Sequence, residues 1–167
     1  MPIRFQGKLY RALNPIYASE PLSGRGAKLY GGRFNAKGVP AIYLSLSPIT
    51  ALREANQVGN LQPTMLVSYD ADVEMVFDCR DESALSREGL DLTALGDPSW
   101  RSEMNTSGEA RTQTLARRLA AAGHNGLLVH SFAPGATKDD LNLVLWTWGN
   151  SKPSRITPID DENRLSR

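Results

Sequence analysis

Apolar residues cluster along the chain in short runs bounded by turn residues, a pattern that is typical of strands. Six such runs occupy residues 9–13, 41–45, 64–69, 73–79, 126–131 and 143–148. Acidic side chains at Glu74 and Asp78 interrupt the fourth run, which indicates a strand at a sheet edge. The last two runs are apolar enough to predict central strands.

Two further segments carry helical signals. Ser47 followed by Pro48 is typical of an N-cap and a first helical position. On this first helix Glu54 is predicted to face back toward the strand that carries Tyr43. Residues 109–122 form the second predicted helix, with leucines on a buried stripe and a glycine immediately after its end.

These elements predict a single α+β domain, because several strands are accompanied by few long helices. The chain has 167 residues, which is the size of one domain. Residues 80–108 predict short helical turns and loops without a clear order. We assign the domain to residues 1–150. The tail 151–167 is predicted to be weakly ordered, or fixed by a partner or by a last strand around Ile156.

Composition and charge narrow the classes of function. Hydrophobic residues make up 41% of the chain and charged residues 22%, which is ordinary for a folded domain. The formal net charge is only +1, so direct nucleic-acid binding through many phosphates is not expected. Cys79 is the single cysteine, which excludes an internal disulfide and favours a reducing compartment. With no predicted signal peptide or membrane span, the expected location is the cytoplasm.

The densest candidate chemistry lies in residues 30–54. Arg33 follows two glycines, which let backbone approach a ligand closely, and its guanidinium suits bidentate phosphate contacts. Tyr43 lies on the next predicted strand and Glu54 on the helix after it. The segment therefore predicts three groups packed around two turns, namely an arginine, an aromatic ring and a carboxylate.

These residue types suit cleavage of the bond between nicotinamide and ribose in NAD. That reaction requires a held diphosphate, an oriented nicotinamide ring and a stabilised cationic sugar. Arg33 suits the first task, the ring of Tyr43 the second and the carboxylate of Glu54 the third. Arg11 is a candidate second clamp, and Ser131 is a candidate either to orient Glu54 or to contact the ribosyl group.

Each candidate also has an ordinary structural interpretation. Arg33 fits a surface arginine in a glycine turn, and Tyr43 fits a core aromatic on an apolar strand. Glu54 fits a solvated helix charge, and Ser131 fits a turn former. No G-x-S-x-G elbow surrounds that serine, and two histidines are too few to predict a metal site.

Five motifs, spread over about residues 8–150, resemble those of a known family. They are Leu9-Tyr10-Arg11, Gly32-Arg33-Phe34-Asn35 followed by Gly38, Ala41-Ile42-Tyr43-Leu44-Ser45, Thr50-Ala51 with Glu54, and Ser131 ahead of the late apolar strand. The family is that of the RES-domain proteins, named for arginine, glutamate and serine. Its members are toxins of bacterial Xre/RES-type toxin–antitoxin pairs.

The resemblance implies a fold and an activity. The implied fold is of the ADP-ribosyltransferase type, a split, mainly antiparallel central sheet flanked by short helices. The implied activity is NAD cleavage without a metal, with NAD as substrate. ADP-ribose would pass to a cellular protein, or NAD would be degraded with phosphate or water as acceptor. Catalytic roles fall on Glu54, Arg33 and Tyr43, and NAD contacts on Arg11, Arg33, Tyr43 and Ser131.

The same resemblance implies a partner. A cognate antitoxin with its own DNA-binding domain would cover the active site in a hetero-oligomer, so this chain would contact neither DNA nor membrane directly. Residues 80–125 match no motif of the family and are candidates to decide the acceptor. The alternative interpretation is an interaction module that binds a nucleotide or only its partner, without turnover.

Overall fold

Strands and helices are interleaved through residues 1–57 and 59–166, which are the residues that this computed structural model describes. The strands are β1 Ile3–Leu13, β2 Ile42–Ser45, β3 Met65–Asp78, β4 Gly126–His130, β5 Leu141–Leu145 and β6 Ser154–Pro158. The helices are α1 Arg25–Tyr30, α2 Pro48–Ala55, α3 Glu82–Arg87, α4 Leu92–Leu95, α5 Trp100–Ser107 and α6 Arg111–Ala121. Short 3-10 turns cover Pro15–Tyr17 and Arg164–Ser166.

Five of the strands close into a mixed barrel. The pairing order is β1-β2-β5-β4-β3, and β3 pairs with β1 again, so the ring has no free end. The β3–β4 pair is parallel and the other barrel pairs are antiparallel, while β6 adds to β3 outside the ring. The predicted fold class, an ADP-ribosyltransferase-like α+β fold with a split, mainly antiparallel central sheet flanked by short helices, is therefore wrong, because the sheet is closed and mixed.

The length of β3 is the physical reason for closure. The prediction divided this segment into strands at 64–69 and 73–79, with acidic residues between them. In the structure Asp70 lies opposite Lys8 on β1, and Asp72 accepts two hydrogen bonds of 2.9 Å from Arg4. Since these cross-strand ion pairs let the acidic residues stay within one strand, β3 runs unbroken for 14 residues. It then reaches β1 on one side and both β4 and β6 on the other.

Side-chain alternation divides the hydrophobic residues between the two faces of the barrel. Leu9, Ile42, Val67, Leu128 and Leu143, one from each barrel strand, belong to a single buried cluster that fills the interior. On β2 the neighbours of the inward residues are Tyr43 and Ser45, which therefore face outward. The polar side chains of the site consequently lie on the outer wall.

A second core joins the outer wall to the helices. Leu127 and Val144 of the barrel pack there against Leu115 and Leu119 of α6, and all four are buried. Residues 80–108, which the sequence left without order, form α3, α4 and α5 along this layer. Aspartate side chains at N-cap positions start two of these helices, at Asp81 for α3 and Asp91 for α4.

The last part of the chain packs onto the barrel. β6 pairs with β3 from Tyr69 to Val73, and Ile156 is fully buried in the interior cluster. Residue 167 of the predicted tail lies outside the described residues, and the division of the chain at residue 150 stays a prediction. None of the helices in the described ranges combines the length and hydropathy that a membrane crossing requires.

Candidate active site

A cleft of about 760 Å³ opens between the outer wall of the barrel and the surrounding helices. Barrel strands, the turn after α1, helix α2 and the start of α5 all contribute to its walls. Its polar and charged lining consists of Arg33, Tyr43, Glu54, Gln57, Arg101, His130 and Asn142. A volume of this order falls in the range of ordinary small-molecule sites.

Glu54 lies on this cleft with both carboxylate oxygens engaged. Oε1 accepts hydrogen bonds from Ser131 Oγ and from Asn142 Nδ2, the latter at 2.7 Å. Oε2 accepts from the exposed amide of Gln57 at 2.9 Å. The donors to Oε1 come from the end of β4 and from β5, whereas Gln57 follows the same helix as the glutamate. Oε1 is therefore fixed by donors from the barrel, whereas Oε2 accepts from the solvent-exposed Gln57.

Helix α2, which carries the glutamate, is itself fastened to the barrel. Ser47 caps it by accepting from Thr50 N at 3.1 Å, and Pro48 is its first residue, as the sequence predicts. Thr50 Oγ1 then donates to Asp140 at 2.7 Å, and Arg53 pairs with the same carboxylate at 3.1 Å. Asp140 receives a further bond from the backbone N–H of Thr137. These bonds, the backbone one first, hold the pKa of the Asp140 carboxyl below its usual range.

The turn at residues 32–35, which carries Arg33, is held in place by hydrogen bonds from side chains that pack against it. Gly32 and Asn35 close the turn by exchanging backbone hydrogen bonds of 2.9 and 3.3 Å. The buried amide of Gln113 on α6 donates to both of their carbonyls, at 2.9 and 3.0 Å. Trp146 Nε1 also donates to the Phe34 carbonyl at 2.8 Å. Because the backbone carbonyls of Gly32, Phe34 and Asn35 all accept hydrogen bonds from buried side chains, the turn is held in place against the barrel and α6.

Tyr43 has its hydroxyl group occupied within the same turn. The hydroxyl donates to Asn35 Oδ1 at 2.7 Å and accepts from Phe34 N at 3.0 Å. Burial raises the pKa of the Tyr43 hydroxyl above its usual range, so the group stays protonated. The tyrosine consequently offers the cleft its ring.

Arg33 uses one end of its guanidinium to hold the wall of the cleft. Nη1 donates to the carbonyls of Leu95 and Asp97 at 3.1 and 2.8 Å, and the guanidinium carbon lies 5.0 Å from the centre of the Phe132 ring. Burial lowers the pKa of Arg33 while the Glu54 carboxylate opposes that change, and an arginine remains charged throughout. Within the described part of the chain, Nε and Nη2 make no hydrogen bond and remain for a ligand.

Of the five predicted site residues, the structure brings Arg33, Tyr43 and Glu54 to one cleft. Ser131 is buried behind Glu54, which is one of the two placements that the sequence left open. Arg11 does not line this cleft. Its Nη1 donates to the Pro21 carbonyl at 3.1 Å. It borders a smaller neighbouring cavity of about 310 Å³, whose walls share Tyr43 and Glu54 with the larger cleft.

The sequence analysis missed several residues of the cleft, among them Asn142, Phe132, Arg101 and Gln57. Asn142 lay just before a strand predicted to begin at residue 143, and so read as part of the polar loop. Phe132 carried no distinguishing pattern. Arg101, which is stacked 4.5 Å over the Trp100 ring, lies in residues 80–108, where the sequence did not predict the order of the elements. The signal for Asn142 was a polar residue in alternation with apolar neighbours, since β5 begins at Leu141.

Among the described residues, no group of three histidine, cysteine or acidic side chains is arranged to hold a metal ion. Cys79 is fully buried, and burial raises the pKa of its thiol above the usual range. His130 binds the Lys138 carbonyl through Nδ1 at 3.1 Å.

Comparisons with known proteins identify the family. A curated relative named Toxin Res, from Photorhabdus laumondii, is 46% identical over 46 residues, covering 28% of this chain and only 30% of that protein. A chain of the crystal structure of the M. tuberculosis MbcT–MbcA toxin–antitoxin complex matches 95% of this chain and 84% of its own length, with a TM-score of 0.68 and 22% identity, a likeness of fold. The family model described as the RES domain matches residues 8–167. The chain therefore belongs to the RES-domain family.

Proposed function

We propose that this protein is the toxin of a toxin–antitoxin pair and that it cleaves the nicotinamide–ribose bond of NAD. The observation that carries the proposal is the carboxylate of Glu54. It faces a cleft of about 760 Å³ and is held by Ser131 and Asn142, with the Arg33 guanidinium on the same cleft. A fixed carboxylate beside a fixed cation suits a substrate that carries a diphosphate and develops positive charge on its sugar.

The chemistry follows from the direction in which electrons move. The bond between the ribose C1′ and the nicotinamide nitrogen breaks, and its electron pair leaves with neutral nicotinamide. Positive charge then develops on the ribosyl group, and Glu54 stabilises it. An acceptor forms the new bond to C1′ and loses a proton, so that water as acceptor yields ADP-ribose, nicotinamide and a proton.

The remaining residues hold the substrate in place. The free edge of Arg33 is suited to the diphosphate, because its Nε and Nη2 form a planar pair of donors. The rings of Tyr43 and Phe132 offer apolar faces to the nicotinamide or ribose. Arg11 would act from the smaller cavity next to Glu54, as a second contact for the same ligand.

The acceptor divides the proposed enzyme into two kinds. With a protein side chain as acceptor, the protein is a mono-ADP-ribosyltransferase. With phosphate or water as acceptor, it is an NAD phosphorylase or glycohydrolase. Both kinds share the same first step at Glu54, so one assay of nicotinamide release covers them.

The proposed partner is an antitoxin that covers the cleft and carries the DNA-binding domain of the pair. Support comes from the family, from the name of the Photorhabdus relative and from the toxin–antitoxin complex whose chain has a similar fold. Covering the mouth of the cleft would keep NAD from Glu54. Because the resting chain must not deplete NAD in its own cell, such a partner belongs to the same proposal, as does a cytoplasmic location.

The test is nicotinamide release from NAD by the partner-free protein and by its Glu54→Gln variant. This change removes the charge and keeps the volume, so turnover is expected to fall roughly 100-fold to 1000-fold. The matched control is Glu82→Gln, an exposed carboxylate on α3 away from the cleft, for which we expect parental turnover. Equal turnover of Glu54→Gln and the parent, at equal melting temperatures, contradicts the proposal.

Added acceptors separate the two kinds of enzyme. Release that requires inorganic phosphate identifies a phosphorylase, and release that requires a cell lysate identifies a protein-directed transferase. Calorimetric binding of NAD without nicotinamide release under any of these conditions favours the alternative, a module that binds nucleotide or partner without turnover.

A further inference from the structure

Besides the bond from Ser131, a path of two hydrogen bonds connects Glu54 to strands β2 and β5 of the barrel wall. Ser45 Oγ donates to Asn142 Oδ1 at 2.7 Å, and Asn142 Nδ2 donates to Glu54 Oε1 at 2.7 Å. Ser45 and Asn142 lie opposite one another in the register of β2 and β5, so the backbone pairing sets the first distance. The path therefore starts from a rigid part of the fold.

The orientation of the Asn142 amide follows from its partners. The Glu54 carboxylate can only accept, so the amide nitrogen must face it. The amide oxygen is then left for Ser45, whose hydroxyl donates to it. The serine thus favours one of the two amide orientations, the one in which Asn142 supplies a donor to the glutamate.

We infer that Asn142 is a positioning residue for Glu54 in the reaction proposed above, on which the inference rests. Without Asn142, the carboxylate would keep the bond from Ser131 to Oε1 and the bond from the exposed amide of Gln57 to Oε2, so Ser131 would be its one remaining donor from the barrel among the described residues. Two donors, from the end of β4 and from β5, fix Oε1 and with it the plane of the group. Oε2 is thereby aimed into the cleft, where the ribosyl charge develops.

The first variant is Asn142→Leu, which keeps the branched shape and the number of side-chain heavy atoms and removes both bonds. We expect kcat for nicotinamide release to fall about 10-fold to 100-fold, because a small displacement of a catalytic group lowers the rate by this order. KM should change little. Ser45→Ala should give a smaller fall, because Asn142 keeps its amide but loses the bond that orients it. A residue that served only to stabilise the fold would lower the melting temperature without this split between kcat and KM.

The second variant, Asn142→Asp, tests the donor itself. At neutral pH it places two carboxylates side by side, and turnover should fall further than in Asn142→Leu. As the pH is lowered, the new carboxyl becomes protonated and donates to Glu54 as the amide did, so turnover relative to the parent should rise. The charged or titratable groups on the two cavities that Glu54 lines are Tyr10, Arg11, Arg33, Tyr43, Arg101 and His130, and both proteins share them.

Asn105→Asp is the matched control for this change of charge. It lies exposed on α5, outside the cleft, and should show the parental pH profile. If the relative turnover of Asn142→Asp stays flat or falls as the pH is lowered, the inference is wrong.

A crystal structure of Asn142→Leu keeps this test separate from that of the proposed function. Displacement or rotation of the Glu54 carboxylate supports the positioning role even if the parent releases no nicotinamide, in which case the proposed function alone fails. A carboxylate that stays in its parental position, held by Ser131 and Gln57 without Asn142, overturns the inference whatever the turnover. An active parent with unchanged kcat in Asn142→Leu overturns it as well.

Discussion

The Gly32→Ala substitution tests how the turn at residues 32–35, which carries Arg33, packs against Tyr43 of the barrel. A Cβ at position 32 would lie 2.5 Å from Asn35 Oδ1 and 3.0 Å from Tyr43 Cζ, and nearer still to the tyrosine hydroxyl oxygen. None of these atoms can simply rotate away. The Tyr43 hydroxyl is held between Asn35 and the Phe34 N–H, and the Asn35 amide also donates to backbone carbonyls, at 2.8 Å to Ala27 and 2.9 Å to Val39. The turn or the tyrosine ring must therefore shift.

Insertion of a methyl group into a packed site of this kind costs about 1 to 3 kcal/mol in free energy of unfolding. For a domain of this size, each kcal/mol lowers the melting temperature by about 2 to 4 °C. The assay is thermal and urea unfolding followed by circular dichroism. NAD turnover should fall as well, because the same shift moves Tyr43 and Arg33 in the cleft.

The control is Gly26→Ala in helix α1. A Cβ there meets no heavy atom of the described residues within 4 Å, so this variant should be neutral or stabilised by up to about 1 kcal/mol. Combining Gly32→Ala with Tyr43→Phe, which removes the nearest clashing atom, should cost less than the sum of the two single changes. If Gly32→Ala unfolds at the same temperature as Gly26→Ala, the packing described for this turn is incorrect.

Two further predictions concern groups around the site. Tyr43→Phe leaves Asn35 Oδ1 and the Phe34 N–H without their partner, so urea unfolding should show a loss of roughly 1 to 3 kcal/mol; an unchanged free energy of unfolding would mean that the hydroxyl is not bound as described. The pKa of Asp140 is lowered in the folded state, so its contribution to stability is present above the ordinary carboxyl pKa and is lost as the pH falls through the folded value. The urea concentration at the unfolding midpoint should therefore fall when the pH is lowered below about 4. Asp140→Asn should weaken this dependence on pH, and an equal pH dependence in both proteins would contradict the stabilising role of Asp140.

Local signals in the sequence were sufficient for part of the site. Ser47 and Pro48 mark the start of α2, and this fixes where Glu54 lies on the helix. The strand that carries Tyr43 was equally evident from its apolar run. Helix starts and short apolar strands depend on neighbouring residues, which is why a single sequence predicts them.

Closure of the barrel depends on contacts that local patterns do not contain. Asp70 and Asp72 look like strand breakers until Lys8 and Arg4, more than sixty positions earlier, pair with them on β1. The expected split, mainly antiparallel sheet was wrong for this reason. Asn142 was missed on similar grounds, because its role depends on lying opposite Ser45, 97 positions away.

Glu54 is the residue on which the proposed reaction depends most directly, and one paired measurement tests its role. NAD binding by calorimetry and nicotinamide release are measured on the same partner-free preparations of the parent and of Glu54→Gln. We predict that the variant retains NAD binding, because Arg33 and the ring of Tyr43 are unchanged, while its release of nicotinamide falls at least about 100-fold. A variant that binds NAD and releases nicotinamide at the parental rate would contradict the central claim.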